Sequence, residues 1–319
     1  MTSNLEVPWG IAFLPDGSAV VAERDSGRIL HVAADGGIIA ESARLPSSYG
    51  GEDGEGGLLG LAVSPTFDSD RFIYAYYTTA EDNRVVRFGF DAPERQEIII
   101  AGIASGTYHN GGRMAFGPDG LLYIATGDAG DDDAAQDPAN LNGKIIRVTP
   151  SGQPAPGNPN PQSPVYSLGH RNVQGLAFDA AGRLYATEFG QNALDEINLI
   201  EPGGNYGWPE IEGDGDTDGG RYTNPLVTWR VREASPSGAA ILGDVLYVAA
   251  LRGERIWSVP LDGNGGVGQP VVLLGSTYGR IRTVVAAPDG ALWASTSNRD
   301  GRGDVREGDD RILRIVPPG

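Results

Sequence analysis

The sequence predicts an all-β protein, a single six-bladed β-propeller with four-stranded blades over residues 1–319, and three features predict it. A turn signal followed by an apolar strand recurs in six copies along the chain. Most copies are followed by a second apolar strand that carries an arginine. No stretch holds a long helical period, while 48 glycines and 22 prolines supply many tight turns.

The copies run FLPDGSAVVAE (13–23), VSPTFDSDRFIYAYYT (63–78), FGPDGLLYIATG (116–127), FDAAGRLYATEFG (178–190), ILGDVLYVAAL (241–251) and AAPDGALWASTS (286–297), roughly 45 to 65 residues apart. That spacing suits four short strands and their turns. The companion strands are GRILHVAA, NRVVRFGFD, GKIIRVTP, DEINLIEPG, ERIWSVPLDG and DRILRIVPPG; they are expected nearer the blade exterior. The strand near Val7–Phe13 is expected to pair with the last blade and close the ring. Residues 128–164 and 201–236 break the rhythm as long Asp-, Asn-, Pro- and Gly-rich loops, either functional or solvated excursions.

Composition narrows the partners. With 24 basic and 42 acidic residues the formal charge is -18, which opposes nucleic acid and anionic membranes and favours cations. The absence of cysteine excludes disulfides, a thiolate nucleophile and a Cys-based zinc site. No apolar run reaches the roughly 18 residues of a membrane span, and MTSNLEVPWG has no apolar leader core. The chain is read as cytosolic, or as an exported protein written without its leader.

The stretch YHNGGRMAFGPDGLLYIATGDAG (108–130) reads as strand, Pro-Asp-Gly turn, strand. It puts His109, one of three histidines, at one rim and Asp128 at a rim one strand pair later, a general base with its orienter or a structural histidine. Glu55 lies in a Gly-rich approach, GGEDGEGGLLGLAVSP, able to bring backbone near a flat ligand. Arg171 and Asn172 precede an apolar strand and would set a guanidinium and an amide at a rim. Glu212, Asp214, Asp216 and Asp218 sit among Gly and Pro turns, with the oxygen donors calcium requires but not the EF-hand order; the alternative is a solvated acidic loop. Arg252, with Arg280 and Arg282 two apart on one strand face, suggests a polyanionic small molecule or a strand end paired to surface carboxylates.

Taken together, EGGLLGLAVSPTF, HNGGRMAFGPDGLLYIATGD, LNGKIIRVTPSG, YSLGHRNVQGLAFD, GGNYGWPEIEG and GRIRTVVAAPDG resemble the soluble glucose and sorbosone dehydrogenase family that uses pyrroloquinoline quinone (PQQ), most closely its compact bacterial aldose sugar dehydrogenases. The resemblance implies that His109 takes the proton of the sugar's C1 hydroxyl, oriented by Asp128. It places Arg171, with Asn172, beside the quinone oxygen that gains charge, and Arg252, Arg280 and Arg282 on the cofactor's side, the last two on its carboxylates. Main-chain carbonyls of the Gly207-Trp208-Pro209 turn would face calcium, and Glu212 with Tyr222 would hold a second, structural calcium. Glu55 stands where the glucose dehydrogenases have glutamine, so a carboxylate would face an anionic cofactor unless it is protonated or turned away. The chain lacks their longer insertions, so glucose specificity and dimerisation are not implied; a monomer is expected. Relatives act outside the cytoplasm, which implies a periplasmic or secreted protein with an external electron acceptor.

Two other functions fit a propeller. A calcium-dependent lactonase or esterase would work without quinone and would not need Arg171, Arg280 and Arg282 to converge. A non-catalytic propeller would bind protein or glycan on its top face and tolerate loss of His109. The stretch Val231–Ser237 is expected to help shape the substrate pocket.

Overall fold

A computed structural model describes residues 1–48 and 54–318. Residues 50–53, the start of the Gly-rich approach before the second copy, lie outside the described residues.

The chain forms six antiparallel sheets arranged as blades, each laid down in chain order from the axis outward. Blade one holds β1 (Pro8–Phe13), β2 (Ala19–Glu23), β3 (Arg28–Val32) and β4 (Ile38–Arg44); blade two β5 (Leu58–Val63), β6 (Phe72–Thr78), β7 (Asn83–Gly89) and β8 (Ala92–Ile103). Blade three holds β9 (Met114–Phe116), β10 (Leu122–Ala125), β11 (Lys144–Val148) and β12 (Val165–Leu168); blade four β13 (Val173–Phe178), β14 (Leu184–Glu188), β15 (Leu194–Ile200) and β16 (Val227–Arg230). Blade five holds β17 (Pro236–Leu242), β18 (Val245–Ala250), β19 (Arg255–Pro260) and β20 (Val271–Gly275); blade six β21 (Ile281–Ala286), β22 (Leu292–Thr296) and β23 (Ile312–Ile315). Each recurring copy is the end of an inner strand, a turn and the second strand, and each arginine-bearing companion is the third. Among the described residues no helix is long and apolar enough to cross a membrane.

The copies are unbroken apolar runs because a blade is covered on both faces. All five residues of β2 and of β14 are buried. Buried side chains gather between consecutive blades, as where Trp9, Leu59, Tyr74 and Tyr76 meet Ile124 and Ile146, or where Ala177 and Tyr185 meet Leu246 and Val248. Packing the sheets face to face closes the ring.

Ring closure differs from expectation in its residues. The turn after Phe13 folds β1 back onto β2, pairing Phe13 with Ala19, so Val7–Phe13 stays in blade one. Thr2–Leu5 reaches blade six instead: the Leu5 N–H donates to the Asp310 carbonyl at 2.9 Å, Asp310 returns a bond to Leu5 at 3.2 Å, and Ile312 donates to Thr2 at 2.9 Å. This segment supplies the outer position that β21–β23 leave open. The supposed loops also need correction. Residues 128–164 contain β11, whose Ile145 and Ile146 are fully buried, and residues 201–236 contain β16. β11 is the companion strand GKIIRVTP, so the loop bounds of 128–164 are too wide; flanking Asn, Asp and Gly obscured only β16.

The inner strands converge on the axis, where Leu61, Met114, Leu176, Ala239 and Val284 line a channel cavity of about 500 Å³. A Cβ on Gly60 of β5 would fall 2.1 Å from the Gly112 carbonyl of the next blade. Gly60→Ala is therefore expected to cost about 3 kcal/mol, the upper range for overpacking. Urea unfolding checks this, and an unchanged midpoint would contradict it.

Candidate active site

Above the channel, at the rim built by loops that enter the inner strands and loops that leave the second strands, lies a cavity of about 560 Å³. His109, Glu55, Arg171, Arg252, Arg280 and Arg282 all line it, with Val231 and Ser235 from the stretch expected to shape it. Trp9, Tyr108, Gln174, Asp195 and Arg302 line it too.

His109 is held in a conformation that side chains rarely adopt, with φ 59°. Its N–H donates to Glu55 Oε2 at 2.9 Å and its carbonyl accepts from Ala129 at 3.2 Å. Its Nδ1 lies 2.7 Å from Asp128 Oδ1. Asp128 is fully buried, and burial opposes its ionisation. The His109 ring, the Gly130 N–H at 2.8 Å and the nearby Arg171 charge nevertheless hold its carboxyl below the usual range. An ionised carboxylate only accepts, so Nδ1 carries the hydrogen and, in the neutral imidazole, Nε2 keeps its lone pair. The Trp208 indole N–H donates to Asp128 Oδ2 at 2.9 Å, a contact that fixes the carboxylate from its other side.

Asp128 is also tied to the next blade. Its N–H donates to the Arg171 carbonyl at 2.8 Å, and Gly127 pairs with Asn172. Arg171 donates its N–H to Glu188 Oε1 and its Nη1 to the Gly190 carbonyl at 2.8 Å. The Arg171 Nε and Asn172 Nδ2 are buried without a partner among the described residues. Asn172 and Asp128 thus stand just behind the lining.

Arg280 and Arg282 share one side of their strand, as their spacing predicts. Arg280 Nη2 lies 2.9 Å and Arg282 Nη2 3.8 Å from the same Asp300 oxygen. Arg282 also donates from Nη1 to Gln174 Oε1 at 3.1 Å, and its buried Nε lacks a partner among the described residues. Arg252 is exposed at the rim. Glu55 is neither protonated nor turned away. Despite burial, the His109 N–H and Arg302, whose Nη1 is 2.5 Å away, hold its carboxyl below the usual range. Arg302 offsets the charge that a glutamine would not carry.

The residues expected at calcium do not line this cavity. The Trp208 carbonyl accepts from Gln136 Nε2 at 2.7 Å, and the Gly207 carbonyl from the Ile211 N–H at 2.9 Å; Trp208 precedes Pro209 across a cis peptide bond. Glu212 and Tyr222 do come together, with Asp216 and Asp218, around a separate surface pocket. Glu212 Oε1 accepts the N–H groups of Gln191, Asn192, Ala193 and Leu194 at 2.7 to 3.2 Å. Among the described residues no group of three His, Cys, Asp or Glu is placed to hold a metal.

Several site residues escaped sequence reasoning. Asp300 and Arg302 sit in a polar turn with no periodicity to mark them. Lys144 had a signal, as the lone lysine beside 23 arginines. Its buried ammonium donates to the carbonyls of Ala134, Ala135 and Asn142 at 2.7 to 3.0 Å, anchoring the loop after Asp128. Three diverging donors suit an ammonium and not a planar guanidinium. Asp195 is 1% exposed, and burial pushes its carboxyl up to about 6 even though Ser235 and Gly190 N–H groups donate to it. A raised carboxyl stabilises fully below its unfolded value and loses that contribution as pH rises through about 6. Wild type should lose about 3 kcal/mol from this group as pH rises from below 4 to above 6. Asp195→Asn should flatten that limb of the melting profile; parallel profiles would refute the assignment.

Residues 5–313 match the family described as Glucose / Sorbosone dehydrogenase. The PQQ-bound form of an aldose sugar dehydrogenase from Streptomyces coelicolor is 48% identical, with TM-score 0.91, over 99% of this chain and 95% of that one. A putative oxidoreductase (glucose dehydrogenase) from Thermus thermophilus is 44% identical, with TM-score 0.90, over 99% and 98%. Quinoprotein glucose dehydrogenase B of Acinetobacter calcoaceticus is 33% identical over 70% of this chain, and the match spans only 54% of that longer protein.

Proposed function

Because the chain belongs to the glucose/sorbosone dehydrogenase family, we propose that it is a PQQ-dependent aldose dehydrogenase that oxidises the C1 hydroxyl of an aldose to the lactone and passes electrons to an external acceptor. What supports the reading most is a convergence. Arg171, Arg252, Arg280, Arg282 and Arg302 border one cavity with His109 at its edge, in a chain of charge -18. Buried guanidinium N–H groups without partners, on Arg171 and Arg282, suit a planar polycarboxylate that brings oxygen acceptors. A lactonase would have no use for that cluster.

When bound, the quinone supplies the electron sink for the hydride pair. Arg280 and Arg282 would hold its carboxylates, while Arg171, backed by Asn172, would donate to its ring oxygens. His109 Nε2 takes the proton of the C1 hydroxyl, and Asp128 stabilises the imidazolium that results. The Glu55 and Asp128 contacts lock the His109 backbone and ring before substrate arrives, so little ordering remains to be done.

Calcium belongs to the same proposal. Glu212 and Tyr222, on one surface pocket, would contribute to a structural ion completed by main-chain carbonyls and water, since among the described residues the carboxylates there are not placed to hold it alone. The Gly207, Trp208 and Pro209 carbonyls would serve a second ion by exchanging the Ile211 and Gln136 bonds. We expect a monomer that works in the periplasm or outside the cell.

The test adds PQQ with and without calcium to purified protein and follows dye reduction with a panel of aldoses. Quinone-dependent turnover supports the reading. Hydrolysis of lactones with calcium alone, and no quinone uptake, would replace it with the lactonase.

A further inference from the structure

Arg113 is a buried charge that the proposed reaction does not use. It is 8% exposed, immediately before β9, and faces the channel beneath the cavity. Its Nε donates to the Gln174 carbonyl at 2.8 Å and its Nη2 to Thr283 Oγ1 at 3.0 Å. Its guanidinium carbon lies 4.1 Å from the centroid of the Trp9 ring. These partners are all neutral. Arg282 approaches the same ring at 5.8 Å, and Gln174 joins the two arginines, its carbonyl to Arg113 and its side-chain oxygen to Arg282.

Charge does not balance here. Arg113, Arg280 and Arg282 are each 6% to 8% exposed, and Asp300 is the carboxylate that pairs with two of them, leaving Arg113 without an ion pair among the described residues. Burial, and then Arg282, push Arg113 down to about 9; burial likewise pushes Arg282 to about 9. An unpaired buried cation destabilises a fold unless something else offsets it.

We propose that Arg113 is a positioning residue for the anionic cofactor, a fixed positive charge under the cavity floor that acts through Trp9, Gln174 and Arg282. Its cost falls on the cofactor-free protein and is offset when carboxylates enter above Arg282. The inference rests on the quinone reading. A residue that merely tethered blades would matter equally in both forms.

The test compares wild type, Arg113→Lys and Arg113→Met, each stripped of cofactor, by melting temperature and by PQQ titration followed through tryptophan fluorescence. Arg113→Met should bind PQQ about tenfold or more weakly while melting at or above the wild-type temperature. Arg113→Lys should keep affinity within about threefold, since it keeps the charge. Equal weakening in both variants, or unchanged affinity in Arg113→Met, would overturn the proposal. Wild type that takes up no PQQ would sink the function reading separately. The melting arm then decides alone: Arg113→Met less stable than wild type makes the guanidinium structural and overturns the inference.

Discussion

Replacing His109 with alanine is expected to lower kcat by about 10²- to 10⁴-fold, the usual contribution of a general base, while PQQ affinity changes by only a few fold. The separation follows from the geometry. The His109 ring meets Asp128 on one side and the cavity on the other, whereas the arginines proposed for the cofactor hang from other blades and keep their own partners. The backbone at this position is held by Glu55 and Ala129 rather than by the ring, so the φ of 59° survives the truncation. Steady-state dye reduction, with cofactor binding measured in parallel, checks the expectation. A kcat within tenfold of wild type would remove His109 from the reaction. Lost affinity with lost turnover would make it a cofactor residue instead.

Asp128→Asn should cost about 10²- to 10⁴-fold in kcat with only a modest fall in melting temperature. Oδ1 accepts from His109 and the Gly130 N–H, and Oδ2 accepts from the Trp208 indole. An amide has one acceptor to offer, so one of its two sides must face a donor with a donor. With its oxygen toward His109, it leaves the buried indole N–H unpaired, a loss of about 1–3 kcal/mol. With its NH₂ toward His109, it forces the hydrogen onto Nε2 and abolishes the base. In neither case is the imidazolium formed during turnover matched by a negative charge. Asp128→Glu tests the same point from the other direction: it keeps the charge and should recover part of the rate. Turnover of Asp128→Asn within about threefold of wild type would show that the carboxylate only holds the loop.

Much of the site was legible because its residues sit beside regular elements. His109 and Asp128 flank a hairpin whose turn and apolar strands are plain in the sequence. Their meeting follows from β9 and β10 pairing, with Leu122 opposite Phe116 and Ile124 opposite Met114. Arg280 and Arg282 were placed on one side by the two-residue period of an extended chain, and both reach Asp300. The Glu55 environment was not legible. A carboxylate facing an anionic cofactor looks unfavourable until Arg302, 247 residues away, is seen beside it. Trp208 was marked for its turn, and nothing local announces that its indole reaches Asp128, 80 residues earlier.

What the sequence by itself determined is the set of blades and the kinds of chemistry available. Strand period, Pro-Asp-Gly turns and repeated apolar runs are local properties, and local sterics and burial decide them. The lack of cysteine and the charge of -18 bounded the chemistry in the same way. The tertiary structure alone decided which residues close the ring, since Thr2–Leu5 and Val7–Phe13 are equally near the start and only the turn geometry at Phe13 assigns them to different blades. It also decided how charges pair. Coulomb and desolvation energies depend on distance and burial rather than on position in the chain. The offsetting of Glu55 by Arg302, the sharing of Asp300 and the unpaired charge of Arg113 therefore exist only once six blades have brought their loops together around one axis.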